Sequence, residues 1–223
     1  MATKNQATQQ EKVVETVSKS EQFYNEHKTL IWGCIIALAV IALAILGYRK
    51  FIYEPKAAEA AEQMFPAEAS FQSGNFEVAL QGDGNHLGFA DIIDQYGAKA
   101  GQAVYLYAGV CELQLGHYQE ALSYLKKYKG KDEILLARAT ACIGDAYAGL
   151  EDYPSAAQYF EKAAGMAHNA FAAGYLLKAG ITYEELGQND KALACYKYIE
   201  DQYPNSVEAY DINKYIARIE AAR

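Results

Sequence analysis

The most apolar segment of the chain is the run from Leu30 to Gly47, LIWGCIIALAVIALAILG, which contains no charged residue. A helix rises 1.5 Å per residue, so this run extends about 27 Å, close to the hydrocarbon thickness of a bilayer. Trp32 near one end and Tyr48 and Tyr53 near the other occupy positions typical of interfacial aromatic residues. The pattern predicts a transmembrane helix at residues 29–50. The predicted membrane-anchor residues are Leu30, Trp32, Val40 and Leu46.

Three other structures give a similar apolar pattern. A cleaved signal peptide has a shorter apolar region followed by small residues, whereas Tyr48-Arg49-Lys50-Phe51 follows this run. A lipoprotein signal ends its apolar region at the modified cysteine, but Cys34 stands near the beginning of the run. A buried helix of a globular domain is the remaining alternative, and the basic pair that follows Gly47 favours a membrane boundary over it.

The orientation of this predicted helix does not follow from its flanking charges. The positive-inside rule compares lysine and arginine residues close to each end of the helix. The two sides balance: Lys12, Lys19 and Lys28 precede the apolar run, and Arg49, Lys50 and Lys56 follow it. Charge therefore leaves both orientations open.

The rest of the chain contains an internal repeat with a period of 35 to 36 residues. Three aligned segments begin at Ala103, Ala137 and Gly174. Within them, the same residue types recur at equivalent places: Gly109, Gly144 and Gly180; Leu115, Leu150 and Leu186; Ala121, Ala156 and Ala192. A polar or glycine-containing turn between the leucine and the alanine divides each segment into two helices. The repeating unit is therefore predicted to be a helical hairpin.

This pattern resembles the tetratricopeptide repeat. Small residues allow the two antiparallel helices of a hairpin to approach closely, and larger side chains such as Leu125, Phe160 and Tyr196 are expected to fill the space between units. Pro204 stands where that family places its closing proline. The chain departs from the pattern at Glu151, which replaces the turn glycine of the second unit, and in the third unit, where asparagine replaces the turn aromatic residue.

The predicted fold class is all-α, a single transmembrane helix followed by a tetratricopeptide-type solenoid of helical hairpins. A polar N-terminal tail covers residues 1–28, the membrane helix residues 29–50 and the repeat domain residues 51–223. The motif SFQSGNFEVAL from Ser70 indicates a degenerate first unit. The predicted units of the repeat domain are a degenerate unit at 55–100, repeats at about 102–135, 137–170 and 173–206, and a capping helix at 207–223.

Composition narrows the classes of function. Residues 51–223 carry 14 lysines and arginines against 24 aspartates and glutamates, so this part is acidic and nucleic-acid binding is not expected. The four cysteines are widely spaced and form no zinc or thioredoxin motif, and no nucleotide-binding or hydrolase motif occurs. Asp83, Asn85 and His86 lack the remaining positions of a calcium loop. We therefore expect no catalysis, cofactor, metal or small-molecule substrate.

Repeat proteins of this class bind partners with the surface formed by the first helix of each hairpin. The aligned positions on that surface are Leu106, Tyr107, Val110, Ala141, Asp145, Leu177 and Ile181. Most of them are apolar, which predicts a groove for apolar protein segments. The alternative is that these side chains belong to the core, because a single sequence does not distinguish a groove from an interior.

The layout as a whole is similar to the bacterial YfgM-type proteins: EQFYNEHKTLIWG, an apolar helix, GYRKF and then repeat-like units. This resemblance implies a single-pass protein of the bacterial inner membrane, with a cytoplasmic N-terminus and a periplasmic repeat domain. It also implies association with the SecYEG translocon, a periplasmic chaperone or emerging clients. Two hypotheses follow: a chaperone-like interaction module for proteins leaving the translocon, or a structural scaffold of another cell-envelope complex that binds no clients.

Overall fold

The computed structural model describes residues 2–166 and 171–221, with side chains from Phe23 onward. Met1, residues 167–170 and residues 222–223 lie outside the described residues, and with them the ends of the predicted tail, second repeat and capping helix. Within the described residues all regular structure is helical. The chain divides into two compact units, Met1–Pro55 and Lys56–Arg223. The predicted all-α class is confirmed.

The first unit is built from α1, which runs from Ala2 to Tyr48, and a π-helical turn at Arg49–Tyr53. In that turn the Glu54 N–H donates to the Arg49 carbonyl, a spacing of five residues in place of the usual four. Near the N-terminus lies a helical segment long and apolar enough to cross a membrane, and none of its apolar window is buried in the protein. All four predicted anchor side chains are more than half exposed. Exposed apolar surface of this extent marks a site of contact with a membrane or with another protein.

The second unit contains three similar helical hairpins. Their bounds are Ala103–Gln114 (α5) with Tyr118–Leu125 (α6), Glu133–Gly149 (α7) with Tyr153–Met166 (α8), and Phe171–Glu185 (α9) with Asn189–Gln202 (α10). We call them the first, second and third hairpin. A last helix, α11, covers Val207–Ala221 and packs against α9 and α10.

A shorter pair precedes the three hairpins. It consists of α2 at Glu54–Gln72 and α3 at Phe76–Gln81, followed by α4 at Phe89–Tyr96 and a 3₁₀ turn at Gly97–Ala100. Buried residues of α2, α3 and α4 form one apolar cluster with α5, in which Phe89 and Ile92 are fully buried. The inserted α4 therefore joins the shorter pair to the first hairpin.

Glycine sets the distance between the two helices of each hairpin. A Cβ atom placed on Gly109, Gly144 or Gly180 would lie 2.3 to 2.7 Å from the side chain of Leu125, Phe160 or Tyr196, respectively. Each of these three glycines therefore receives a large side chain from the second helix of its own hairpin, a contact that the sequence analysis did not predict. The alanines at the equivalent place of α6, α8 and α10 are fully buried in the same contacts. Only small residues fit at these positions.

The turn between the two helices also repeats. In the first hairpin the His117 N–H donates to the Glu112 carbonyl at 2.8 Å and the Gly116 N–H to the Leu113 carbonyl at 3.2 Å, the two bonds of a Schellman cap. The second and third hairpins and the α2–α3 pair form the same two bonds. The cap requires a residue with positive φ, which is Gly116 (80°), Glu151 (61°), Gly187 (67°) or Gly74 (77°). Among the described residues other than glycine, Glu151 is the one with a positive φ.

Candidate protein-binding surface

The structure divides the seven predicted groove residues into two groups. Leu106 and Val110 on α5 are buried, and so is Ala141 on α7. The first two belong to an apolar cluster that contains Leu122 of α6 and Ile143 of α7. They pack between the first hairpin and α7, so they do not contribute an open apolar strip. At these three places the side chains form core, which was the alternative interpretation of the pattern.

The remaining four residues keep part of their surface exposed. Tyr107, Asp145 and Leu177 are half-buried, and Ile181 is 39% exposed. Leu177 and Ile181 are four residues apart on α9, so they lie on one side of this helix. Ile181 occupies the same repeat position as Val110, but α9 belongs to the last hairpin, and within the described residues that hairpin is followed by the single helix α11. This difference in neighbours explains why equivalent apolar residues differ in burial.

An ion pair joins the second and third hairpins on this surface. The Lys178 ammonium donates to both oxygens of Asp145, at 2.7 and 2.9 Å, and links α9 to α7. Sequence analysis selected Asp145 but missed Lys178. A sequence signal for this ion pair exists: Asp145 and Lys178 carry opposite charges, lie 33 residues apart and occupy neighbouring positions of two aligned repeats. We use the term first-helix face for the surface formed by Tyr107, Asp145, Leu177, Lys178 and Ile181.

Tyr107 connects this face to the shorter helical pair. Its ring stacks on Phe89 with centroids 5.2 Å apart and meets Phe71 edge to face at 5.1 Å. Burial raises the pKa of Tyr107, and the nearby carboxylate of Glu68 adds to the effect. The phenol therefore remains neutral at physiological pH. The aromatic contacts with Phe71 and Phe89 hold the ring in a fixed position.

Cysteine chemistry does not suit this surface. Cys142 is half-buried on α7, and burial raises the pKa of its thiol to about 11. Burial likewise raises the pKa of Cys111 to about 12 and of Cys195 to about 11. Since the thiolate is the nucleophile and the metal ligand, these three side chains are unreactive at neutral pH.

The polar loop that connects α3 to α4 forms a local turn. Asp83 Oδ1 accepts hydrogen bonds from the backbone N–H groups of Asn85 at 2.9 Å and His86 at 2.7 Å, and Asp83 Oδ2 lies 3.2 Å from the His86 ring nitrogen. The backbone N–H and ring of His86, followed by the N–H of Asn85, lower the pKa of Asp83 to about 2. Within the described residues, no group of three or more histidine, cysteine, aspartate or glutamate side chains is placed to hold a metal ion.

Comparisons with known proteins agree with this architecture. Residues 175–206, which include most of the third hairpin, match the family model described as tetratricopeptide repeat. The solved structure titled "Crystal structure of MamA" superposes with a TM-score of 0.53 at 19% sequence identity, over 70% of this chain and 92% of that one. A search of curated protein sequences gives no significant match. The second unit therefore has a tetratricopeptide-type helical repeat fold, as its residue pattern predicted.

Proposed function

We propose that this chain is a membrane-tethered protein-interaction module, with the first-helix face as its binding surface. The observation that carries the proposal is the partly exposed apolar pair, half-buried Leu177 and exposed Ile181, beside the Asp145–Lys178 ion pair. Stacked helical hairpins present such a surface to partner proteins, and apolar groups beside fixed charges supply both contact area and specificity. We assign no catalytic reaction, cofactor or small-molecule substrate to it.

The tether in this proposal is the apolar part of α1, with Leu30, Trp32, Val40 and Leu46 in the bilayer. Its exposed apolar side chains support this assignment. We further propose the single-pass topology that the sequence resemblance implies, with the N-terminus in the cytoplasm and the repeat domain in the periplasm of a bacterial inner membrane. A long translocated domain is compatible with the balanced flanking charges.

Protease treatment of spheroplasts tests this topology. External protease is expected to digest the domain after Phe51 and to spare an epitope tag placed before Lys28. Protection of the repeats until lysis, with digestion of the N-terminal tag in intact spheroplasts, would put the repeats in the cytoplasm. That result would contradict the topology and the resemblance to YfgM-type proteins together.

The partners we propose are the secretory translocon, a periplasmic chaperone or proteins that emerge from the translocon. The alternative is a structural scaffold of another cell-envelope complex. The small and partly polar first-helix face favours a few partners of defined shape over many unfolded clients, because buried Leu106 and Val110 leave no continuous apolar strip. A scaffold is expected to copurify with a few stoichiometric proteins, whereas a client binder captures many.

A pair of substitutions tests the binding surface. Leu177→Ser with Ile181→Ser removes the apolar pair, and Tyr198→Ser, at a residue 52% exposed on α10, is the matched control. The full-length variants are purified from crosslinked membranes and the copurified proteins are quantified. We expect the double variant to lose its main partners and the control to keep them. Equal recovery with both would contradict the assignment of this face.

A further inference from the structure

The structure contains a second concave surface, distinct from the first-helix face. It is an open pocket of about 440 Å³ that borders α6, α7 and α8. Side chains of α7 and α8 line it together with the loop that follows α6. Its volume lies within the range of ordinary ligand pockets. We call it the basic pocket, for the reason given below.

The floor of the basic pocket is apolar. It includes Leu136, Ala139 and Ile143 of α7 and Met166 of α8. The hydroxyl of Thr140 also lies there, but it donates to the Leu136 carbonyl at 2.7 Å and contacts the Met166 sulfur at 3.6 Å. The Thr140 hydroxyl therefore donates its hydrogen bond within the protein. The floor offers a ligand mainly apolar contact.

The rim of the pocket is cationic. Lys126, Lys129 and Lys162 line it, and the lining includes no aspartate or glutamate. In the part of the chain that the structure describes, none of the three lysines forms an ion pair, whereas Lys178, Lys197, Lys214 and Arg218 each pair with a carboxylate. Three uncompensated ammonium groups around an apolar floor are unusual in a domain that is acidic as a whole.

Local contacts hold the rim in place. The Lys126 ammonium donates to the Tyr147 hydroxyl at 2.8 Å, and Lys162 lies 5.9 Å from the centre of the Tyr159 ring. The Lys129 N–H donates to Gln102 Oε1 at 2.6 Å, which ties the loop after α6 to the N-terminus of α5. Tyr128 in the same loop is buried. Lys126 and Lys129 thus stand at an ordered loop, and Lys162 stands on α8. Because the backbone that carries these charges is already ordered, less conformational entropy is lost when a partner binds.

We propose that the basic pocket binds an acidic peptide segment of a partner protein, with one apolar side chain of that segment on the pocket floor. Carboxylates on either side of this side chain would meet the three lysines. Charge complementarity supports an acidic occupant, since the remaining surface of this acidic domain repels one. The pocket adds a second docking site, with its own partner chemistry, to the first-helix face.

A binding measurement tests this proposal. The probe is a fluorescein-labelled peptide of aspartates and glutamates around a central leucine, titrated by anisotropy with the full chain in phosphatidylcholine nanodiscs. Lys129→Glu with Lys162→Glu reverses two rim charges, and Lys191→Glu with Lys214→Glu makes the same change in net charge on α10 and α11. All four lysines are exposed, so both variants are expected to stay folded, with a slightly lower melting temperature for the control because it breaks the exposed Lys214–Asp211 ion pair.

We expect the rim variant to weaken binding about tenfold or more and the control variant about twofold or less. Replacing the leucine of the probe with serine is expected to weaken binding several-fold. Three results would overturn the proposal: absence of binding to the wild type, equal loss in the two charge variants, or equal binding of the serine probe. Displacement of the peptide by phosphatidylglycerol vesicles but not by phosphatidylcholine vesicles would assign the pocket to an anionic membrane surface and would also overturn it.

Discussion

Individual residues in this fold are constrained by backbone conformation as much as by contact. The Schellman turn recurs in all three hairpins with positive φ, and two of its three sites are glycine. Glu151 adopts the same conformation at φ 61°, where a Cβ atom crowds the following carbonyl. Sequence analysis found this departure from the repeat pattern, and the structure shows that the backbone did not change to accommodate it.

Glu151→Gly is therefore expected to stabilise the domain by about 1 kcal/mol, because relief of the left-handed strain exceeds the added entropy of the unfolded chain. Gly116→Ala and Gly187→Ala in the equivalent turns are expected to destabilise it by a similar amount. Thermal or denaturant unfolding measures all three. A loss of stability in Glu151→Gly would show that the turn carries no strain.

Burial distinguishes apolar residues that the repeat pattern makes equivalent. Leu106 is buried between the first hairpin and α7, so Leu106→Ser is expected to lower the free energy of unfolding by roughly 3 kcal/mol. Ile181→Ser, at a residue 39% exposed, is expected to cost less than about 1 kcal/mol. Chemical denaturation of the two variants gives the comparison. Similar losses at both positions would mean that α9 is as deeply covered as α5.

At the scale of elements, α11 is fixed to the third hairpin by a hydrogen-bonded carboxylate. Glu184 on α9 accepts two bonds from Arg218 Nη2, at 2.6 and 2.8 Å, one from Arg218 Nε at 3.1 Å and one from the Tyr196 hydroxyl at 2.5 Å. Burial and the Glu184 carboxylate raise the pKa of Tyr196, so its hydroxyl stays protonated. Three helices thus meet at one side chain.

Arg218→Ala is expected to destabilise the domain by about 1 kcal/mol, a modest value because the arginine side chain is 59% exposed. Arg218→Lys is expected to restore little, since an ammonium cannot form the same paired hydrogen bonds. The control is Lys197→Ala, which removes an ion pair whose two side chains are each 50% exposed and is expected to cost less than about 0.5 kcal/mol. Unfolding midpoints compare the variants, and equal shifts would contradict a special role for Glu184.

Elements fixed by contacts between residues close in sequence were predicted, and features fixed by contacts between distant parts of the chain were not. Helix pairing inside a hairpin depends on residues close in sequence, so the recurring glycine at Gly144 was found from the period alone. Its contact with Phe160 was not found, because the pattern assigned that ring to the space between units. Contact between hairpins depends on how closely their helices approach in space. The period alone therefore did not predict the burial of Val110 or the ion pair between Asp145 and Lys178. The sequence analysis did not select the lysine-rich segment 126–131, and the apolar floor of the basic pocket arises only from the packing of α7 and α8.

For the molecule as a whole, the proposed membrane anchor depends on the apolar part of α1. Val40→Arg near the middle of the apolar run is expected to cost roughly 2.5 to 3.5 kcal/mol of insertion free energy and to release or destabilise the protein. Val40→Leu is the control and is expected to behave as the wild type. Extraction of membranes with alkaline carbonate separates inserted from released protein, and retention of the arginine variant would contradict the tether.

The most direct test of the proposed function is photo-crosslinking in intact cells from a benzoylphenylalanine at position 181, compared with one at position 119. Ile181 lies on the first-helix face, and Gln119 is exposed on α6. A tethered interaction module predicts discrete crosslinked products from position 181, identified by mass spectrometry as membrane or periplasmic proteins, and few from position 119. Absence of products at position 181, or the same products from both positions, would contradict the account.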